Sequence, residues 1–340
     1  MLVAGKRNLI TDVPGLLVGN SQSTIVKSGT TVLTADKPFT AAVDVRGGAP
    51  GTRETDLLAA DKLVEQIDAI VLSGGSAFGL DAAAGVMDTM AAQGRGYEVG
   101  PVRVPIVSSA ILFDLLNGGD KSWNINPYRQ LGVEALGNSA VDFDLGSVGA
   151  GTGANCADFK GGLGSASLCC NHGITVAALV AVNPRGGVCL PGSRNFWAAP
   201  FEIGDEYGGS HWGNAKPALQ LADPGLADID AQTNSNPRAN TTIAIVATDA
   251  CLSVSQLKRL AIAAHDGIAR AIVPSHTPLD GDTVFAVSTA CKALQAPVAD
   301  QTELGHAASV CLARAIARGV YQATPSKNDP MPSWQSKAEN

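Results

Sequence analysis

Asn240-Thr241-Thr242-Ile243-Ala244-Ile245-Val246-Ala247-Thr248 is the stretch from which the rest of this chain can be read. To its left lies a polar, turn-rich segment that begins near Phe201 and includes DAQTNSNPRAN at 230–240. To its right the residues are continuously apolar and largely β-branched, which suits a strand buried on both faces. A flexible stretch that ends abruptly at a core strand reads as a loop, and a loop of that kind is also where a processing site can sit. If the peptide bond before Thr241 is cut, the threonine becomes an N-terminal nucleophile. Its new α-amine, with a reference pKa of about 7.7–8.0, can take the hydroxyl proton near neutral pH. Downstream, Leu279-Asp280-Gly281-Asp282-Thr283 carries two carboxylates flanking a glycine, which could orient that ammonium. Composition by itself favours a plainer account: an ordinary strand start and an Asp-Gly turn with Asp282 as a cap.

Further strand-like runs occur at Ala41–Val45, Ala69–Leu72, Val102–Val107 and Val176–Val182. Helical patterns fall between them: Phe78–Ala92, Gln256–Ile272 with Ser253 or Ser255 as N-cap, and Leu304–Arg318 with Gly319 as a stop. The mixture predicts a layered α/β or α+β domain. Of the 340 residues, 45% are hydrophobic and only 16% charged, so most of the chain must be packed and disorder of its bulk is excluded. The 38 glycines imply frequent turns and close backbone approaches. Residues 324–340, polar and Pro-containing, are expected to be a disordered tail.

A net charge of −7 with no basic block argues against nucleic acid as a partner. No run reaches the ~18 apolar residues of a membrane span, and the N-terminus lacks a signal-peptide pattern, so a cytoplasmic location is expected. Seven scattered cysteines without a C-x-x-C spacing fit reduced thiols. No cofactor and no metal are expected. Gly149-Ala150-Gly151-Thr152-Gly153-Ala154 looks like a dinucleotide loop, but Gly161, Gly162 and Gly164 follow where a helix should. Leu72–Gly79 resembles a nucleophile elbow around Ser76, except that Phe78 stands where glycine is needed. A tight turn that packs helix on strand is the better reading, with Gly75 and Ser76 retained as candidate substrate-pocket residues. The five histidines contain no H-x-x-x-H pair; His265 and His306 read as structural or surface residues.

Taken in order, several blocks resemble the L-aminopeptidase/D-esterase family of self-processing hydrolases, which includes β-peptidyl aminopeptidases and nylon-oligomer hydrolases. They are Ile10–Gly15, Val43-Asp44-Val45-Arg46-Gly47-Gly48, Leu72–Leu80, Phe159-Lys160-Gly161-Gly162, Val182-Asn183-Pro184, Asn240-Thr241-Thr242-Ile243 and Asp280-Gly281-Asp282-Thr283. The resemblance implies a four-layer αββα sandwich related to the ornithine acetyltransferase fold. It also implies a precursor that cuts itself at Asn240–Thr241 into a large subunit, 1–240, and a small one, 241–323, within a single folded domain. Thr241 would be the nucleophile, Asn183 an oxyanion-hole amide, Asp280 and Asp282 the acidic pair, and Lys160 the active-site lysine, although the Lys160–Asn183 spacing differs from the family's. Where relatives often carry tyrosine, this chain has Phe113, so a phenolic donor at the pocket is missing. Homo-oligomers of the αβ unit, tetramers among them, are usual in the family. The substrate implied is a short peptide, an aminoacyl amide or an amino-acid oligomer. Two other readings compete: an acyltransferase working through the same acyl-enzyme, and a non-catalytic small-molecule-binding relative that never matures.

Overall fold

The computed structural model describes residues 2–209, 211–213 and 240–336. In chain order the elements are β1 (Val3–Ala4), β2 (Leu16–Ser23), β3 (Ser28–Val45), β4 (Thr52–Arg53), β5 (Gln66–Ser73), α1 (Asp81–Ala92), β6 (Tyr97–Val99), β7 (Val102–Val104) and β8 (Val107–Ile111). There follow α2 (Tyr128–Gly137), β9 (Gly162–Cys169), β10 (Thr175–Asn183), β11 (Thr241–Ala250), α3 (Val254–Ala271), β12 (Thr283–Lys292) and α4 (Pro297–Tyr321). Hydrogen bonding runs β1-β9-β10-β11-β12-β3-β5-β8-β4, with β2 on the free side of β3 and β6–β7 a separate hairpin. β11 and β12 are parallel, as are β5 and β8.

The 18-residue β3 joins two sheet layers. Its C-terminal half pairs with β12 from Thr40 to Val45, and its N-terminal half pairs with β2 and with β5 at Thr30–Thr34. The ladder to β5 is irregular between Thr34 and Phe39, where Pro38 has no N–H to donate. Side chains of β10 alternate with the period of two that a strand dictates. Ala178, Val180 and Val182 join a core with α3 and α4, while Leu179 and Ala181 point into a second core with Leu16, Val18, Leu33, Ile70 and Leu72. A third core packs Val32, Val71 and Val107 against Ala82, Val86 and Met90 of α1 and Leu131 and Ala135 of α2. Helices, sheet, sheet and helices thus form the αββα layering. Among the described residues no helix is long and apolar enough to cross a membrane.

The structure corrects several local expectations. The run Val102–Val107 is divided at Pro105 into the hairpin strand β7 and the core strand β8. Gly319 does not stop a helix; it lies inside α4, facing Gly162 and Gly164 of β9. A Cβ at Gly164 would stand 1.9 Å from the Ala315 carbonyl, so the glycines let helix and strand backbones touch. That need explains a strand too glycine-rich to be recognised by pattern. The tail is packed through residue 336: the Trp334 ring stacks on Phe196 at 5.5 Å between centroids, and the Arg194 guanidinium lies 4.0 Å above it. Asp329 is held between Lys27 and Lys160, 2.8 Å from each ammonium. An aromatic anchor and a buried ion cluster offset the polar composition that suggested disorder. Residues 337–340 lie outside the described residues, as do 210 and 214–239 of the segment read as a polar loop. The start of that segment is packed, with Tyr207 fully buried and its hydroxyl donating to the Ala198 carbonyl.

Asp114 ties two of these elements together just beyond β8. One carboxylate oxygen accepts the Gly75 N–H at 2.8 Å, and the other has no partner in bonding geometry. Burial pushes its pKa above the ordinary 3.8, with the Ser28 hydroxyl pulling the other way. A raised folded value means full stability below 3.8 and a loss as pH rises through that value. Asp114→Asn cannot ionise, so wild type is expected to lose stability relative to the variant across a thermal-denaturation series from pH 4 to 7. Gly164→Ala is expected to destabilise the uncut chain by about 1–3 kcal/mol through overpacking, read as a lower urea midpoint at unchanged slope.

Candidate active site

Three strand ends meet at one edge of the β9–β12 layer. Thr241, the first residue of β11, stands opposite Asn183, the last residue of β10. On its other side the loop into β12 brings Asp280 beside Asn240 in a parallel bridge. Thr241, Asn183, Asp280 and Asp282 are all buried. Local sequence marks where each chain leaves its strand, with Pro184 just past β10 and the Asp-Gly turn before β12, and the strand register brings both points level with the start of β11.

The carbonyl of Asn240 is gripped from two directions. It accepts the Gly281 N–H at 2.9 Å and the Thr241 Oγ1 hydroxyl at 2.5 Å. The Asn240 side-chain amide donates to the Pro184 carbonyl at 3.1 Å, which fixes the residue before the bond. Gly281 must be glycine, because a Cβ there would come 2.8 Å from Thr241 Oγ1 and 2.7 Å from the Ala49 carbonyl. A second glycine serves the same loop. Gly47 donates its N–H to the Asp282 carbonyl, and a Cβ on it would lie 2.3 Å from the Asp280 carbonyl oxygen. The Val43–Gly48 block is therefore a backbone cradle for Asp280-Gly281-Asp282.

Each carboxylate of the pair reaches across to another element. Asp280 accepts the Arg185 N–H at 3.0 Å on one oxygen, and the Thr277 N–H and hydroxyl on the other. Asp282 accepts the Thr242 N–H at 2.8 Å, one residue beyond the candidate nucleophile. Burial, followed by the neighbouring Asp282 charge, raises the Asp280 pKa above the usual aspartate value.

Asn183 is held at both ends of its side chain. Oδ1 accepts the Asn155 N–H at 2.9 Å, and Nδ2 donates to the Phe113 carbonyl at 3.1 Å. One Nδ2 hydrogen is thus used, which leaves a second to donate toward a developing oxyanion. Phe113 enters the site through its backbone, and the next residue, Asp114, holds Gly75, so the glycine turn is coupled to Asn183 through two adjacent residues. Ser76 follows in a left-handed conformation, φ 51°, with its N–H on the Leu112 carbonyl. Lys160 is placed differently. Its backbone bridges Asn155, next to Asn183, but its ammonium bonds Asp329. Sequence reasoning missed Gly281 as an N–H donor, Asn155 as the holder of Asn183, Asp329 as the partner of Lys160, and His276 beside Asp282. Only His276 left a trace, four residues before Asp280 on the same loop.

A hydroxyl and an N–H converging on one peptide carbonyl, in a buried site with a side-chain amide opposite, is an arrangement suited to acyl transfer onto Thr241 Oγ1. The comparisons with known proteins agree with that chemistry. Residues 8–329 match the model described as Peptidase family S58. An uncharacterised aminopeptidase of Mycobacterium tuberculosis (strain ATCC 25618 / H37Rv) is 42% identical, over 94% of this chain and 95% of the relative. A 6-aminohexanoate-oligomer endohydrolase of Kocuria sp. (strain KY2) is 28% identical, over 84% of this chain and 76% of its own length. Among solved structures, a Burkholderia sp. β-aminopeptidase superposes with a TM-score of 0.67 at 22% identity, covering 98% of this chain and 92% of that one, a likeness of fold. The L-aminopeptidase D-Ala-esterase/amidase of Ochrobactrum anthropi gives 0.65 at 21% identity, over 97% and 90%. With its four layers, its threonine-headed strand and a family match over nearly its whole length, the chain belongs to peptidase family S58 and is a hydrolase of peptide or amide bonds.

Proposed function

We propose that the chain is a self-processing hydrolase that cuts Asn240–Thr241 and then uses Thr241 as an N-terminal nucleophile on short peptides, aminoacyl amides or amino-acid oligomers. The observation that carries this reading is the Asn240 carbonyl held between the Gly281 N–H and the Thr241 hydroxyl. In the precursor, Thr241 Oγ1 attacks the Asn240 carbonyl carbon, the Gly281 N–H steadies the oxyanion, and collapse breaks the C–N bond to leave an ester. The Thr241 amine, freed as that C–N bond breaks, takes the hydroxyl proton, and water then hydrolyses the ester to give the Asn240 carboxylate and restore the Thr241 hydroxyl. In the mature enzyme the amine acts as base for its own hydroxyl. Asn183 donates to the oxyanion, and Asp280 and Asp282 hold the ammonium form. Lys160 contributes positive charge near Asn155 and Asn183. Gly75, Ser76 and Phe113 border the substrate. The names of the relatives, an aminopeptidase and an oligomer endohydrolase, support small amides as the substrate class.

We further propose a cytoplasmic location and association of αβ units into a tetramer. All seven cysteines are free, which fits a reducing compartment. One face of the β6–β7 hairpin exposes Tyr97, Val99, Val102 and Val104, while the other carries the Glu98–Arg103 ion pair. An apolar ribbon face of this kind suits contact with another copy.

Mass measurement under denaturing conditions, with N-terminal sequencing, tests the central claim. The expected result is a large piece ending at Asn240 and a small one beginning Thr-Thr-Ile-Ala. Thr241→Ala is expected to remain a single 34.6 kDa chain with no turnover; a variant that still matures would refute the mechanism. Asn183→Ala is expected to lower kcat by about 10²–10³-fold in cut enzyme, assayed on an aminoacyl p-nitroanilide.

A further inference from the structure

His276 lies outside the motif blocks of the sequence, and its ring reaches the acidic pair. Its backbone N–H donates to Asp282 Oδ2 at 3.0 Å, and its ring Nδ1 lies 2.8 Å from the same oxygen. The other oxygen of Asp282 is the one bound to the Thr242 N–H. One carboxylate therefore spans from the residue after the candidate nucleophile to the histidine. The His276 backbone sits at φ 55°, a left-handed conformation that non-glycine residues seldom adopt, and its two bonds to Asp282 hold it there.

The surroundings select one form of the ring. A carboxylate oxygen accepts, so Nδ1 carries the hydrogen and Nε2 has a lone pair. Nε2 is buried and has no hydrogen-bond partner. A hydrogen on it would be a buried N–H with no acceptor. Packed edge to face against His276 is His265 of α3, 4.9 Å between centroids, whose own Nδ1 is also without a partner. Burial pushes the His265 pKa down to about 4, so this neighbour brings no charge at neutral pH. The remaining charged groups around the pair belong to neighbouring elements: Asp280 on the same loop, Arg185 beyond β10, Asp44 and Arg46 at the end of β3, and Lys258 of α3. Asp44 is engaged with Lys258 at 2.6 Å and Arg46 at 3.2 Å, which leaves Asp282 as the charge His276 meets directly.

We propose that His276 is a positioning residue for catalysis, donating through its Nδ1–H to keep the Asp282 carboxylate charged and aimed at the head of β11. This inference rests on Thr241 being the nucleophile. A neutral donor suits the task better than a cation. It fixes the carboxylate without cancelling the negative charge that the Thr241 ammonium requires. Without the donor, the acidic pair takes up a proton more readily and its grip on Thr242 loosens.

The test uses the full chain, synthesised cell-free so that cutting can be timed, with His276→Ala and His276→Asn beside wild type. The asparagine amide can place an N–H where Nδ1 stands. The alanine variant is expected to cut itself more slowly and to lose about 10–100-fold in kcat on an aminoacyl p-nitroanilide, with little change in KM. The acid limb of its pH–kcat profile moves to higher pH. The asparagine variant recovers most of the rate and the wild-type limb. An alanine variant with the wild-type rate and profile would overturn the inference while leaving the Thr241 mechanism intact. So would equal impairment of both variants with no movement of the limb, since that is the mark of a merely structural role. A wild-type chain that neither cuts nor turns over would overturn both. Should the alanine variant fail to fold, ¹⁵N NMR of the wild-type histidine rings decides: an Nδ1–H tautomer at His276 supports the inference and an Nε2–H tautomer refutes it.

Discussion

The hydrogen bond from the Gly281 amide to the Asn240 carbonyl joins the two halves of the site, 2.9 Å across a gap that no side chain could occupy. It requires the loop before β12 to lie against the start of β11, and most of the surrounding structure can be understood as meeting that requirement. The parallel pairing of β11 with β12 sets the two strand heads level. The backbone of residues 46–49 braces the loop from the far side, donating N–H groups from Arg46, Gly47, Gly48 and Ala49. Asp280 and Asp282 then bind outward, to Arg185 and Thr242, so that a short turn is pinned to three separate strands.

This construction uses burial where the chemistry needs it and tolerates the consequences. Burial and the neighbouring Asp282 charge raise the proton affinity of Asp280, and the structure surrounds the pair with a dense set of N–H and hydroxyl donors. Asp114 is the contrasting case, a buried carboxylate with one oxygen unpartnered, held close to the glycine turn and to Asn183. Lys27 and Lys160 converge on Asp329, so the last packed segment of the chain sets the position of a lysine that resemblance places in the active site. A buried ion cluster of this kind is poor evidence of net stability, but it does specify geometry.

A layered α/β domain was legible in advance because strands such as Val176–Val182 and Thr242–Thr248 and the helix read at Gln256–Ile272 follow simple periodicities, whereas the αββα order came from the family resemblance. Ser253 indeed closes a capping box with Gln256. What escaped pattern reading were elements whose residues answer to a neighbour rather than to their own period. β9 is glycine-rich because α4 lies on its backbone, and Gly319 sits mid-helix for the same reason. The tail looked disordered because its anchors, Asp329 and Trp334, have partners far away in sequence: Lys27, Lys160, Arg194 and Phe196.

For the site, the sequence alone, through the blocks it shares with the family, singled out the candidates that lie in compact motifs: Asn183, the Asn240–Thr241 bond, and Asp280 with Asp282. Short motifs preserve local backbone geometry, and that geometry is what makes them recognisable. Only the tertiary structure decided that Gly281 donates to the Asn240 carbonyl, that Asn155 and Phe113 hold Asn183, that Lys160 turns to Asp329, and that His276 meets Asp282. Those contacts depend on how strand ends from opposite parts of the chain come level with one another. The register of the paired strands sets that level, and no stretch of sequence encodes it locally.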